Sequence, residues 1–176
     1  MAIPDPLLKV LFEVDFWATR QLLAACCALP PEQFQRDLGI GPGSLERTLT
    51  HLVGTLSFFA DRLARRPARP RLESDGQRHD AAELTEHFER AAVELEQAAG
   101  AAQARHALSD TLNWTDSDEG QIEAADQLSY AVAFAQIIDH GIHHRTQAMD
   151  MLELLRVAQS VDWHPFDWDE AVRFGK

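Results

Sequence analysis

The chain has 176 residues, 45% of them hydrophobic and 25% charged, and a formal net charge of −12 from 28 acidic and 16 basic residues. Residues 1–176 read as a single globular domain that can bury a sizeable core, with a surface that repels nucleic-acid phosphates and anionic lipid heads. No run approaches the roughly 18–20 apolar residues of a membrane span, and the opening MAIPDPLLKV lacks a signal-peptide pattern, so neither nucleic acid nor membrane is an expected partner and cytoplasmic residence is the default.

Four long segments carry a 3.6-residue apolar period, and little reads as strand. The first spans about Pro6 to Leu29, with Leu8, Leu11, Phe12, Phe16 (or Trp17) and Leu22/Leu23 on one side. Pro6 suits a first helical turn, and LPP at Leu29 to Pro31 ends the helix. Cys26 and Cys27 near its end are neighbours about 100° apart on a helix, so they cannot easily bridge each other and read as packing residues. The loop EQFQRDLGIGPGS follows. The second helix is capped by Ser44, places Glu46 in its positive first turn, and carries the stripe Leu45, Leu49, Leu52, Leu56, Ala60 and Leu63. It stops before Pro67 in the Arg-rich loop ARRPARPRLESDGQRHD.

Asp80 and Glu83 have capping-box spacing and open the third helix, whose buried face is Leu84, Phe88, Ala91, Leu95, Ala98 and Ala102. Its far side, with Glu86, Glu89, Arg90, Glu94 and Glu96, reads as a solvated face. Between Ala107 and Asp126, the turn residues Asp116, Asp118 and Gly120 separate TLNWT from GQIEA, which suggests a short irregular hairpin or an ordered loop. The fourth helix, about Asp126 to Val157, has two apolar stripes: Ile138, Ile142, Met149 and Leu152, and Ala133, Ile137, Met151 and Leu155. Such a helix is contacted by several neighbours. Its polar strip is narrow, with Gln136, Asp139, His143, Gln147 and Asp150. The aromatic tail VDWHPFDWDEAV is expected to dock on the bundle through a short helix near Asp167 to Phe174. Together these segments predict an all-α four-helix bundle, with loops long enough for crossover connections.

His140 and His144 are spaced i, i+4, one turn apart on one face, where two imidazoles reach a single ion. Position 141 is Gly, so the general-base Glu of the HExxH metalloproteases is missing. The wheel turns His140 and His144 inward and leaves His143 on the polar strip. A hydrogen-bonded buried pair explains this spacing too, and a zinc-type site needs a third ligand from another helix. His51, on the flank of the second helix's stripe near Thr48, Thr55 and Phe58, is the best placed. His87 sits among charges, His79 and His106 lie in or beside loops, and His164 is in the tail.

The segments LTHLVGTLSFFADRL (Leu49–Leu63) and IDHGIHHRTQAMDML (Ile138–Leu152) resemble the DinB-like superfamily of metal-binding four-helix bundles, and DFWATRQLL in the first helix is similar to the family's pattern there. His51 matches the family's second-helix histidine, and His140, His144, Arg145 and Gln147 match its H-x-x-x-H-R-x-Q motif. Thr146 replaces the usual Gly. The resemblance implies a divalent metal, zinc or nickel, held by His51, His140 and His144, and a homodimer. Related families include transferases and isomerases that use the thiols mycothiol or bacillithiol.

Three neutral imidazoles leave an ion's charge undiminished, which lowers the pKa of a bound water or thiol and opens hydrolysis or thiol-dependent transfer on a small-molecule substrate. A non-catalytic metal-stabilised or ligand-binding bundle in a stress response is the alternative. Glu123, Glu153, Asp15 and Asp139 are candidates to orient the ligands or move protons. Arg145, directed toward an apolar stripe, needs a partner, and Asp15 is the candidate. Trp17, Trp114, Trp163 and Trp168 read as core and docking residues.

Overall fold

Each long helix starts where the sequence offers a cap, because side-chain oxygens there satisfy N–H groups that a helix leaves unpaired. A computed structural model describes residues 2–74, 76–113, 127–157 and 164–175. Helix α1 runs Pro6–Cys27 behind Asp5, whose carboxylate accepts the Leu8 N–H at 2.9 Å. Helix α2 is a single turn, Pro31–Phe34, inside the first loop. Helix α3, Leu45–Leu63, is capped by Ser44, and α4, Ala81–Gln103, opens on the reciprocal Asp80–Glu83 capping box. Strands β1 (Thr111–Asn113) and β2 (Gln127–Ser129) pair antiparallel, with Leu112 opposite Leu128. Helix α5, Tyr130–Leu154, follows directly, and α6, Pro165–Phe174, closes the chain.

Helices α1 and α3 each pack against both α4 and α5, so the order around the bundle is α1, α4, α3, α5. The links from α1 to α3 and from α4 to α5 therefore cross the bundle, and α3–α4 alone joins neighbours. This is an all-α four-helix bundle with crossover connections. The stripes expected on α3 and α4 are buried throughout, from Leu45 to Leu63 and from Leu84 to Ala102. Burying each of these leucines and phenylalanines is worth roughly 1.5–3 kcal/mol. Phe16 stands between Phe12 and Phe88, with ring centroids at 5.6 and 6.0 Å in edge contacts that join α1 to α4. Among the described residues, no helix is long and apolar enough to cross a membrane.

The structure corrects several sequence expectations. Helix α5 starts at Tyr130 rather than Asp126, because Gln127–Ser129 pair with β1 and Ser129 then serves as the N-cap. It ends at Leu154, where Arg156 turns left-handed (φ 58°) and the Val157 N–H returns to the Leu152 carbonyl. Of its two stripes, the one with Ala133, Ile137 and Met151 is buried, whereas Ile142 on the other is 52% exposed. The α4 face is more than solvated: Glu89 takes a two-pronged bond from Arg20 of α1, and Glu94 pairs with Arg66 and Arg69. Helix α6 touches α1 without burying a residue completely, and Trp17 and Trp168 are half-buried. Trp114, Trp163 and the centre of the expected hairpin lie outside the described residues.

Candidate metal centre

Helices α3 and α5 lie side by side, and this sets His51 against His140 and His144. One ring nitrogen of each lies within 4.8 Å of the others. His51 Nε2 and His140 Nε2 are 3.2 Å apart, and the His144 ring centroid lies 4.7 Å from that of His51 and 4.4 Å from that of His140. His144 is buried, His140 is half-buried against the edge of Phe59, and His143 is exposed.

Hydrogen bonds fix two of the three tautomers. Glu73 Oε1 lies 3.0 Å from His51 Nδ1. A carboxylate only accepts, so Nδ1 carries the proton and Nε2 presents its lone pair. Gln147 Oε1 accepts from His144 Nδ1 at 2.8 Å, while Gln147 Nε2 donates to His143 Nε2 at 2.9 Å. His144 Nε2 is thereby left as an acceptor too. Burial, reinforced by His144, His51, His143 and Arg71, pushes the His140 pKa down to about 3. Burial also lowers that of His144, against the opposing bond to Gln147. Burial raises the Glu73 carboxyl, but bonding and charge from His51 and the nearby Arg71 outweigh it and hold the pKa below the usual range.

This donor set fits a divalent ion. Two nitrogens bound tetrahedrally to one zinc at about 2.0–2.1 Å stand about 3.3 Å apart, close to the 3.2 Å between His51 Nε2 and His140 Nε2. Imidazole donors suit several divalent metals, zinc, nickel, copper and iron among them. His140 Nδ1 is buried and has no partner among the described residues.

Three glycines make room for the groups around the histidines. Gly54 is one turn beyond His51, and a Cβ there would come within 2.6 Å of Glu73 Oε2 and 3.0 Å of Leu72 Cβ. Its absence lets a 3-10 turn, Leu72–Ser74, lie against α3 and deliver Glu73. The approach to that turn is tied down by buried Asp61, which holds Arg66 and Arg69 at 2.9 Å each. Gly41 adopts φ +48° in the α2–α3 loop, where a Cβ would meet the Gln147 side chain, 2.6 Å from its Cδ. At Gly141 a Cβ would run into Asp15 Oδ1 and stand 2.9 Å from Arg145 Nη1.

Arg145 does pair with Asp15, at 2.6 Å with both side chains buried, and also donates to Thr19. Asp15 thus serves the α1–α5 contact rather than the histidines. Asp139 and Glu153 are exposed, and Glu123 lies outside the described residues. The residues that orient the imidazoles are Glu73 and Gln147. Gln147 was readable as the i+3 neighbour of His144, whereas Glu73 sits in a loop with no periodic signal. The remaining described histidines lie elsewhere: His79 and His87 face each other with centroids 5.6 Å apart, His106 stacks on Tyr130, and His164 begins α6.

A cleft of about 520 Å³ opens beside His51 and His144, bordered by the first turns of α3 and by residues 76–78. A crossover four-helix bundle with three converging imidazoles on two adjacent helices defines a helical protein suited to binding a metal ion. The chain belongs to the DinB family, whose model matches residues 5–162. No curated protein and no solved structure matches it.

Proposed function

We propose that His51, His140 and His144 hold one divalent ion, zinc or nickel, and that the chain is a metal-dependent enzyme acting on a small molecule in the adjoining cleft. The observation that carries this reading is the convergence of three imidazoles, two of them with the outer nitrogen tied to Glu73 or Gln147. A divalent ion there supplies a Lewis acid that lowers the pKa of a coordinated water or thiol, which suits hydrolysis or thiol-dependent transfer. The chain's own part is to orient His51 and His144 through Glu73 and Gln147, to keep His140 and His144 neutral by burial, and to back the rings with apolar side chains such as Phe59. The reading includes a homodimer, which the resemblance to the DinB-like superfamily implies.

The test is elemental analysis of the purified protein beside its His51→Ala variant, followed by a panel of thiols with electrophiles and of esters. The expected result is about one ion per chain in the wild type, none in the variant, and turnover that follows the metal. A metal-free wild type, or a variant that keeps its ion, refutes the site. Metal that raises the melting temperature with no turnover selects the non-catalytic bundle instead.

A further inference from the structure

The charged groups bordering the cleft are, with one exception among the described residues, already matched. Glu73 accepts from His51, Arg47 lies 3.7 Å from Asp37, and Arg78 donates to Gln35 at 2.6 Å. The exception is Glu46. It borders the cleft from the first turn of α3, is only 7% exposed, and its side chain makes no hydrogen bond or ion pair with any described residue. The residue is mostly buried, yet its carboxylate oxygens are not, so they stay open to a group that enters the cleft. The α3 N-terminus favours an anion nearby, but no described residue fills the carboxylate's acceptor sites.

We infer that Glu46 recognises a cationic group, an ammonium or guanidinium, on the small molecule that the cleft takes. The substrate class is therefore an amine-bearing ligand whose other end reaches the three histidines, an inference that rests on the metal-centre reading above. The two arginines at the cleft already have partners, so an anionic group finds no equivalent unfilled site there. The net charge of −12 draws cations toward the protein.

Three thiols of similar size separate the possibilities: cysteamine, 2-mercaptoethanol and 3-mercaptopropionate, with positive, neutral and negative tails. Each is titrated into cobalt-substituted protein, and binding is read from the visible absorption of the cobalt. Wild type should favour cysteamine over 2-mercaptoethanol, and Glu46→Gln should cut that ratio about ten-fold, the scale of one hydrogen-bonded charge. Cobalt stoichiometry and 2-mercaptoethanol affinity should not change. Comparing the two proteins cancels differences in thiol acidity. Glu46→Asp keeps the charge and should retain part of the preference, which guards against a folding defect in the amide variant. An unchanged ratio in Glu46→Gln overturns the inference, as does tighter binding of 3-mercaptopropionate. If cobalt does not bind, the metal reading fails on its own. Saturation-transfer NMR with propylamine and propanol then decides the role of Glu46. A propylamine signal lost in Glu46→Gln upholds it, and equal signals in both proteins overturn it.

Discussion

Glu73 Oε1 stands 3.0 Å from His51 Nδ1, and a 3-10 turn between α3 and α4, not a bundle helix, brings it there. The bond selects the tautomer whose Nε2 faces His140. Glu73→Gln should lower metal affinity by about 10–100-fold, the usual effect of losing a group that orients a ligand, with the helical circular dichroism unchanged. Competition against a chromogenic chelator measures it. Gly54→Ala should act in the same direction, because its Cβ takes the space of the Glu73 carboxylate. Wild-type affinity in Glu73→Gln would show that His51 needs no such support.

His143 and His144 are adjacent yet differ in role, and Gln147 joins them by accepting from one and donating to the other. His143→Ala should keep the full complement of metal, whereas His140→Ala should lose it. Gln147→Ala should weaken affinity by about ten-fold or more through a loosened His144. Elemental analysis of the three variants checks the assignment. Loss of the ion in His143→Ala with retention in His140→Ala would reverse it.

Much of this arrangement was legible in the sequence because helices report their buried faces at a fixed period. The α3 stripe, both caps at Ser44 and Asp80, the inward turn of His144 and the Asp15–Arg145 pair all follow from local spacing or from a single unmatched charge. Glu73 was not legible. Its position depends on Asp61 gathering Arg66 and Arg69 and on Gly54 leaving a gap, relations between separate segments that no short window contains. The start of α5 was missed for a related reason: Gln127–Ser129 become a strand only because β1 supplies a partner.

Asp61 gives the loop a definite response to acid. Burial pushes its carboxyl up, but side-chain and backbone bonds from Arg69, with the charges of Arg69 and Arg66, outweigh this and hold its pKa below the usual range. Below an ordinary aspartate value of about 3.9, the unfolded chain takes up a proton that the folded chain still refuses. Its contribution is therefore complete at neutral pH and is lost as pH falls through the depressed folded value. Urea unfolding of wild type and Asp61→Asn from about pH 7 down to about pH 2 should show a stability gap that closes only at the acid end. A gap that stays constant would mean the negative charge does not hold the loop.

Gly141 sits where α5 meets the buried Asp15–Arg145 pair. Burial keeps the Asp15 carboxyl above its usual range even against the charge and hydrogen bond of Arg145, so the pair already works against desolvation. By helix propensity alone, Gly141→Ala should stabilise α5 by about 1 kcal/mol. The new methyl group would instead run into Asp15 Oδ1 and crowd Arg145. Separating a buried pair costs about 3–5 kcal/mol, so even partial displacement reverses the propensity gain. Urea unfolding should therefore show Gly141→Ala to be less stable than wild type by about 2 kcal/mol or more. In an Asp15→Ala background the same substitution should cost less, because the oxygen it strikes is gone, and that non-additivity distinguishes a collision from a general defect in the helix. A Gly141→Ala protein as stable as wild type would show that the pair shifts aside freely.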